Sequence, residues 1–298
     1  MVVLITGASG FVGGHLFTKL QHRVQVRPVV RTGIASLPGA VTVPDVGPDT
    51  DWTSALEGCS TVVHLAAQLP SRNAAAADYD RVNRLGTSNL VKQAQQAGAK
   101  KFIFMSSIAA VAGAADGQIS DDDYTVAAND YGRSKRSAEQ AVAGFSGESI
   151  SLRPPLIIGR GARGNWGALT KLAALPAPLP FGLANRERSF LSIDNLLDAL
   201  TMLIERVEGI GAANAYAIAD PDPISLADLV SSLRTAQNRR PMLLPIPLWI
   251  MEKSARLAGK GALTDSLFGS LIVDSSRFNR EFRWSPPVTT RETIVRSV

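Results

Sequence analysis

Val2-Val-Leu-Ile-Thr6-Gly7-Ala-Ser-Gly10-Phe-Val-Gly13 is an apolar run that breaks into a glycine-rich turn, and a helical pattern follows from His15 to Gln21. A short, continuously apolar run is the mark of a parallel strand buried on both faces. Strand, glycine turn and helix in that order are the setting of a dinucleotide site. Gly7 is expected to make the tight turn. Gly10 lets the backbone approach a pyrophosphate, and Gly13 lets helix and strand pack closely. The helix N-terminus offers free N–H groups and a partial positive charge to the phosphates. The spacing is GxxGxxG rather than GxGxxG.

Working outward, a second strand is expected over Val24–Val30, ending at Arg31. Pro28 inside it removes a ladder donor and suggests a bulge. An acid at this strand's end would bind the ribose hydroxyl of NAD, whereas an arginine accepts the extra phosphate of NADP. No Asp or Glu lies between Val24 and Gly39, which favours NADP and leaves NAD open. Val41–Val43 reads as a third strand leading to Asp45-Val46, where an adenine could be gripped. A short helix over Asp51–Leu56 and a fourth strand over Thr61–Leu65 follow. His64 reads as a core residue. A long helix spans Tyr79–Ala97, and a fifth strand, Lys101–Met105, ends in Ser106-Ser107. Such strand–helix alternation makes a doubly wound parallel sheet. Ligands bind such sheets at the carboxyl ends of the strands.

Tyr131-Gly-Arg-Ser-Lys135 opens the next helix, with Asn129 or Asp130 as its cap. Tyrosine and lysine four residues apart share one helix face. Ile150–Ile158 reads as a sixth strand. Residues 159–167 are then rich in glycine and arginine, and Leu175–Gly182 in proline. A helical pattern runs over Phe190–Ile204, Ala215–Ala219 reads as a core strand, and helices are expected over 225–237 and 247–258. Ile272–Val273 and the chain from Trp284 onward read as extended. The boundaries place a cofactor domain at residues 1–160, with a return around 189–219, and a substrate domain at 161–188 and 220–298.

The chain has 298 residues, 45% hydrophobic and 19% charged, an ordinary globular composition. Its single cysteine, Cys59, excludes an internal disulfide and fits a reducing cytoplasm. Three histidines and that cysteine show no metal-ligand spacing, so no metal is expected. The net charge of +5 suits an anionic small molecule, and no basic stripe with interleaved aromatics points to nucleic acid. Gly159-Arg-Gly-Ala-Arg163-Gly164 is better read as a loop over a diphosphate than as an RNA-binding run. The stretch Leu243–Met251 is broken by Pro245 and Pro247 and is too short to span a bilayer. A membrane-surface role is open to it, but a pocket wall or a dimer face is the expected use, so a homodimer is left open.

Together these motifs resemble the extended short-chain dehydrogenase/reductases, the NAD-dependent epimerase/dehydratase family. The resemblance rests on Gly7–Gly13, His64-Leu-Ala-Ala67, Phe104-Met-Ser-Ser107, Tyr131–Lys135 and Leu152-Arg-Pro-Pro-Leu-Ile-Ile-Gly159, with Ser107 lying 24 residues before Tyr131. Within the family the chain is similar to UDP-sugar 4-epimerases and 4-keto-sugar reductases of bacterial polysaccharide pathways. Arg188-Ser-Phe-Leu-Ser-Ile-Asp194 and the tail Val273–Pro287 carry that likeness. The resemblance implies a Rossmann-type fold with a smaller C-terminal substrate-binding domain. It implies Ser107, Tyr131 and Lys135 as catalytic residues. Cofactor contacts are implied for Gly7, Ser9, Gly10, Phe11, Val12, Gly13, Arg31, Asp45, Val46, Leu65, Ala66, Ala67, Asn83, Ser106, Tyr131, Lys135 and Pro154. For a nucleotide-diphosphate sugar it implies Gln68, Ser107, Asn165 and Arg188. Leu263-Thr-Asp-Ser-Leu267 lacks a second diphosphate-binding arginine that many relatives carry.

Free tyrosine, with a pKa near 10, is too weak an acid to act as a base at neutral pH. Lys135 is expected to favour the phenolate by its charge and to hold the nicotinamide ribose. Both a 4-keto-sugar reductase using NADPH and a 4-epimerase holding NAD would use the same residues. Arg31 tilts the expectation to the reductase. A redox sensor or scaffold without catalysis is the alternative of another class, and the intact trio argues against it.

Overall fold

In the computed structural model, the described residues are all except 35–36, 72, 113–116, 122, 124–126, 128, 207–208, 210–213 and 258–268. The glycine-turn unit forms β1 (Val2–Thr6) and α1 (Phe11–Leu20). Then come β2 (Gln25–Arg31), β3 (Val41–Val43), α2 (Thr53–Leu56), β4 (Thr61–His64) and α3 (Ala76–Tyr79). A π-helical stretch, Asp80–Gly86, runs on into α4 (Thr87–Gln96), followed by β5 (Lys101–Met105), β6 (Gly117–Ile119), α5 (Asp130–Ala143) and β7 (Glu148–Arg153). The second half holds β8 (Leu156–Ile158), α6 (Asn165–Ala173), β9 (Glu187–Arg188), β10 (Phe190–Ser192), α7 (Ile193–Glu205) and β11 (Asn214–Ala217). It closes with β12 (Ile224–Ser225), α8 (Leu226–Ala236), α9 (Leu248–Leu257), β13 (Leu271–Val273), α10 (Ser276–Phe282) and α11 (Thr290–Arg296).

Seven strands form one sheet in the order β11-β7-β5-β4-β1-β2-β3. Every pairing in it is parallel. Helices cover both faces, which is why its strands read as unbroken apolar runs. On one face Leu16, Leu20, Leu196, Leu200, Phe278 and Phe282 bring α1, α7 and α10 onto the sheet. On the other, Trp52, Leu56, Leu90, Val91, Ala138 and Val142 bring α2, α4 and α5. This is the doubly wound, Rossmann-type arrangement. A separate cluster joins α6, α8 and α11 through Trp166, Leu169, Leu229, Leu233 and Ile294. Beside it stand a β10–β8 pair and a four-stranded sheet, β12-β9-β13-β6.

Several local expectations change. The predicted strand Ile150–Ile158 divides at Pro154-Pro155: β7 joins the main sheet and β8 pairs with β10. Two successive prolines offer no N–H to a ladder, so one strand cannot continue through them. Pro28 makes no bulge. The β1–β2 register is unbroken, and β3 begins pairing only at Val29, so the missing donor falls on an edge that β3 does not reach. Phe190–Ser192 is strand, and helix begins at Ile193. The tail beyond Trp284 is not extended throughout. Thr289 and Glu292 form a capping box that starts α11.

Among the described residues no helix is long and apolar enough to cross a membrane. No group of three His, Cys, Asp or Glu side chains among them could hold a metal ion.

Candidate active site

The glycine turn sits at the carboxyl end of β1, in the middle of the sheet. Gly7 has φ +67°, and a Cβ there would lie 2.9 Å from the backbone N of Ala66. The turn closes through Gly10 N–H to Gly7 O at 2.9 Å. A Cβ on Gly13 would stand 2.2 Å from Gly7 O and 2.8 Å from Ala8 Cα. These contacts draw the start of α1 onto the turn. Its first N–H groups lack intrahelical partners, and its first turn holds no acidic residue. Ser9 and Gly10 are exposed, and Phe11 and Val12 partly buried. A pyrophosphate fits this cradle of backbone donors at a helix N-terminus.

Arg31 is exposed at the end of β2. Asp45 follows β3, but its carboxylate is already engaged. Oδ2 pairs with Arg81, and Oδ1 accepts from Thr50 Oγ1 at 3.1 Å. The Arg81 hydrogen bond holds its pKa below the usual carboxylate range. A carboxylate grip on adenine therefore competes with Arg81. Val46 is buried, packed so closely on the helix that a Cβ on Gly86 would come 3.1 Å from its carbonyl oxygen.

The loop after β4 is pinned from beneath. Thr6 Oγ1 accepts from the N–H groups of Leu65 and Ala66, both at 3.2 Å, and contacts His64 Nδ1 at 2.7 Å. His64 Nε2 meets Thr87 Oγ1 at 2.9 Å. Because Thr6 Oγ1 already takes two donors, its own proton goes to Nδ1, which assigns the Nε2–H tautomer. Burial pushes His64 down to about 3, with the charge of Lys135 a smaller cause, so it is a neutral core brace.

Asn83, buried on the π-helical stretch, is also a brace. Its Oδ1 accepts from Gln68 N–H at 2.8 Å, while Nδ2 donates to Gln68 O at 3.1 Å and Ser134 Oγ at 3.0 Å. Both amide protons are used, tying the Leu65–Gln68 loop to α5. Gln68 keeps its own side chain outside that tie, with Nε2 donating to Leu69 O at 3.3 Å.

Asn129, not Asp130, caps α5, with Oδ1 accepting from Gly132 N–H at 2.8 Å. A Cβ on Gly132 would lie 2.2 Å from Ala109 O. The absence of a side chain there lets α5 close onto the Ser107–Ala110 turn. That approach sets the Ser107 hydroxyl against the Tyr131 phenol, where it favours the ionised form. Ser107 Oγ also accepts from Ala109 N–H at 3.2 Å, and the Tyr131 ring meets Tyr79 edge-on at 6.1 Å. Lys135 is buried one turn deeper, its Nζ 4.2 Å above the Phe104 ring.

Electrostatics here differ from the sequence expectation. Burial raises the Tyr131 phenol above its usual pKa, and the neighbouring Ser107 hydroxyl only partly offsets this. Burial also pushes Lys135 down to about 7, against an upward pull from Glu139. Taking either group out of water disfavours its charged form. The charge of Lys135 is not among the causes acting on Tyr131, and the protein alone leaves the phenol protonated.

Below the trio lies a network that sequence reasoning missed. Arg153 donates to Glu139 through Nε at 2.9 Å and Nη2 at 2.7 Å, and through Nη1 to Asp121 O at 3.0 Å. Ser106 Oγ donates to Glu139 Oε1. Ser106 was expected at the cofactor, but its hydroxyl points into this network. Adjacent residues of an extended chain face opposite ways, so only Ser107 turns to Tyr131. Pro154 is buried as well, its carbonyl accepting from Ile108 N–H at 2.9 Å. Glu139 was findable as the next position in the stripe Tyr131, Lys135, Glu139. Arg153 carried no such signal.

In the second half of the chain, Gly164, with φ +65°, turns the backbone into α6, which Asn165 opens. Arg188 lies on β9 and donates from Nη1 to Gly269 O at 2.6 Å. Ala67 follows the pinned loop and is partly buried. The segment Leu263–Leu267 lies outside the described residues.

The family model that matches residues 3–219 is the NAD dependent epimerase/dehydratase family. A UDP-glucose 4-epimerase of Vibrio cholerae is 33% identical over 97% of this chain and 92% of its own length. A 3-beta-hydroxysteroid dehydrogenase of Mycolicibacterium neoaurum is 30% identical over 80% of this chain and 70% of its own. Among solved structures, the UDP-glucuronic acid 4-epimerase of Bacillus cereus in complex with NAD superposes with a TM-score of 0.80 at 20% identity. It covers 100% of this chain and 97% of that one. With a matching model over residues 3–219, a glycine cradle and an assembled Ser–Tyr–Lys trio, the chain is an enzyme of the NAD dependent epimerase/dehydratase family.

Proposed function

We propose that the protein interconverts the two configurations at C4 of a UDP-hexose. The observation that carries this reading is the Ser107 hydroxyl set against the Tyr131 phenol, with buried Lys135 one turn further along α5, beside the glycine cradle. The Vibrio relative, similar over nearly its whole length, favours epimerase over reductase. We assign residues 1–160 and 189–219 to cofactor binding, and 161–188 and 220–298 to the sugar nucleotide.

NAD, when bound, supplies reversible hydride acceptance next to the trio, and its positive ring adds the charge that lowers the Tyr131 pKa. Tyr131 takes the proton of the C4 hydroxyl and later returns it to the oxygen of the inverted sugar. Ser107 hydrogen-bonds that oxygen and keeps it in reach of the phenol. Lys135 holds the cofactor ribose, and Asn83 fixes α5 against the Leu65–Gln68 loop. Arg188 and Asn165 hold the diphosphate, a task suited to a planar guanidinium.

A second reading, a 4-keto-sugar reductase using NADPH, is favoured by one observation. Arg31 is exposed where an acid would select NAD, and no acid lies between Val24 and Gly39. The test is a panel of UDP-sugars and 4-keto UDP-sugars followed by NMR and by nicotinamide absorbance. Epimerisation without net change in NADH supports the first reading. Stoichiometric NADPH consumption supports the second. No turnover of any sugar, with cofactor bound, overturns both and leaves a binding protein.

A further inference from the structure

Away from the site, the two proline-rich segments 174–183 and 241–250 lie side by side. Leu179 N–H donates to Met242 O at 3.0 Å, Leu244 N–H to Leu179 O at 2.8 Å, and Gly182 N–H to Leu244 O at 2.9 Å. Buried Arg234 staples the pair. Its Nη1 donates to Leu175 O at 3.0 Å and its Nε to Arg240 O at 2.7 Å. Leu179, Phe181, Leu243 and Leu248 turn inward onto the α6–α8 cluster. The outward residues are apolar too: Leu175, Leu183, Met242, Leu244, Trp249 and Ile250 are all exposed. A single exposed leucine needs no explanation, but six apolar side chains exposed on two paired segments do.

Its charges say what covers it. Residues 171–186 and 238–251 contain no Asp or Glu and carry Lys171, Arg186, Arg239 and Arg240. Lys171, Arg186, Arg239 and Arg240 are exposed, as is Lys253 on α9. A second copy meeting this face isologously would set five cations of each copy against only the flanking Glu187 and Glu252. An anionic bilayer satisfies both parts, taking the apolar side chains into its headgroup boundary and the cations onto its phosphates. Trp249 is placed as aromatic anchors are placed at a membrane–water boundary. We infer that this face docks the enzyme on an anionic lipid surface, lying on the membrane without crossing it.

Vesicle flotation with the full-length protein tests this, and Trp249 is a built-in probe. Of the four tryptophans, Trp52, Trp166 and Trp284 are buried and Trp249 is 65% exposed. The protein is expected to float with phosphatidylcholine vesicles that contain phosphatidylglycerol, and not with pure phosphatidylcholine. Its tryptophan emission shifts to the blue on binding, and Trp249→Phe abolishes the shift. Arg239→Ala with Arg240→Ala weakens binding about 30-fold, at about fivefold for each cation removed, and salt weakens it further. Absence of binding to anionic vesicles overturns the inference, as does binding indifferent to lipid charge. It is equally overturned if the wild-type protein forms a dimer that Leu244→Ser dissolves while vesicles go unbound, since a second copy is then the occupant.

Discussion

Replacing Glu139 by glutamine keeps the volume of the side chain and removes its charge, which makes it a direct probe of the buried network. Glu139 and Arg153 are both less than a tenth exposed and are joined by two hydrogen bonds. Glu139→Gln leaves the Arg153 guanidinium in the interior without its carboxylate. Breaking a buried pair from one side costs about 3–5 kcal/mol. In a chain of this length that lowers Tm by roughly 6–10 °C, at about 2 °C per kcal/mol. The double variant Glu139→Gln/Arg153→Met removes the stranded charge and is expected to regain at least half of the loss. Lys135 also loses the carboxylate that draws its pKa upward, so it becomes neutral at lower pH. Calorimetric unfolding of these three proteins and of the single Arg153→Met variant measures the coupling. A Glu139→Gln variant within about 1 kcal/mol of the parent, below the range for a buried pair, would refute the reasoning. So would a double variant no more stable than the single one.

The remaining expectations concern the cradle, the lysine and the cofactor. Gly13→Ala drives a Cβ to 2.2 Å from Gly7 O. It should cost about 1–3 kcal/mol by overpacking and abolish cofactor binding in calorimetric titration. Gly14→Ala, whose Cβ meets nothing closer than 3.6 Å, should be neutral or stabilising by up to about 1 kcal/mol. Lys135 is held at about 7 when folded, against 10.5. Between those values the unfolded chain binds a proton that the folded chain does not, so stability rises with pH there by up to about 1.4 kcal/mol per unit. Lys135→Met should flatten that slope, raise stability at neutral pH and abolish turnover; an unchanged slope from pH 7 to 10 would contradict the burial. Arg31→Ala should weaken NADPH far more than NADH in fluorescence titrations, and an equal effect on both refutes a phosphate role.

The residues that declared the fold were those whose chemistry is local. Gly7, Gly10 and Gly13 need only their own backbone to specify a turn, and Tyr131 and Lys135 need only helical spacing. Pro154-Pro155 announced a break in writing, yet apolar residues on both sides suggested one strand. Helix α11 was signalled by Thr289 and Glu292 and masked by Pro286-Pro287 just before them. What the sequence could not convey is the direction in which polar side chains turn once packed. Ser106, Asn83 and Asp45 all stand beside the cleft, and each gives its side chain to another residue. The partners, Glu139, Ser134 and Arg81, lie 33, 51 and 36 residues away. The approach of Ser107 to Tyr131 likewise depends on a contact between Gly132 and Ala109 that no spacing rule contains.

The central claim, proton transfer by Tyr131 at C4 of a UDP-hexose, is tested most directly by incubating the protein with UDP-glucose and NAD and following the sugar by NMR. The account predicts UDP-galactose at equilibrium without accumulating NADH, and a Tyr131→Phe variant that still binds NAD but turns over about 10²–10⁴-fold more slowly. Undiminished turnover by Tyr131→Phe would contradict it.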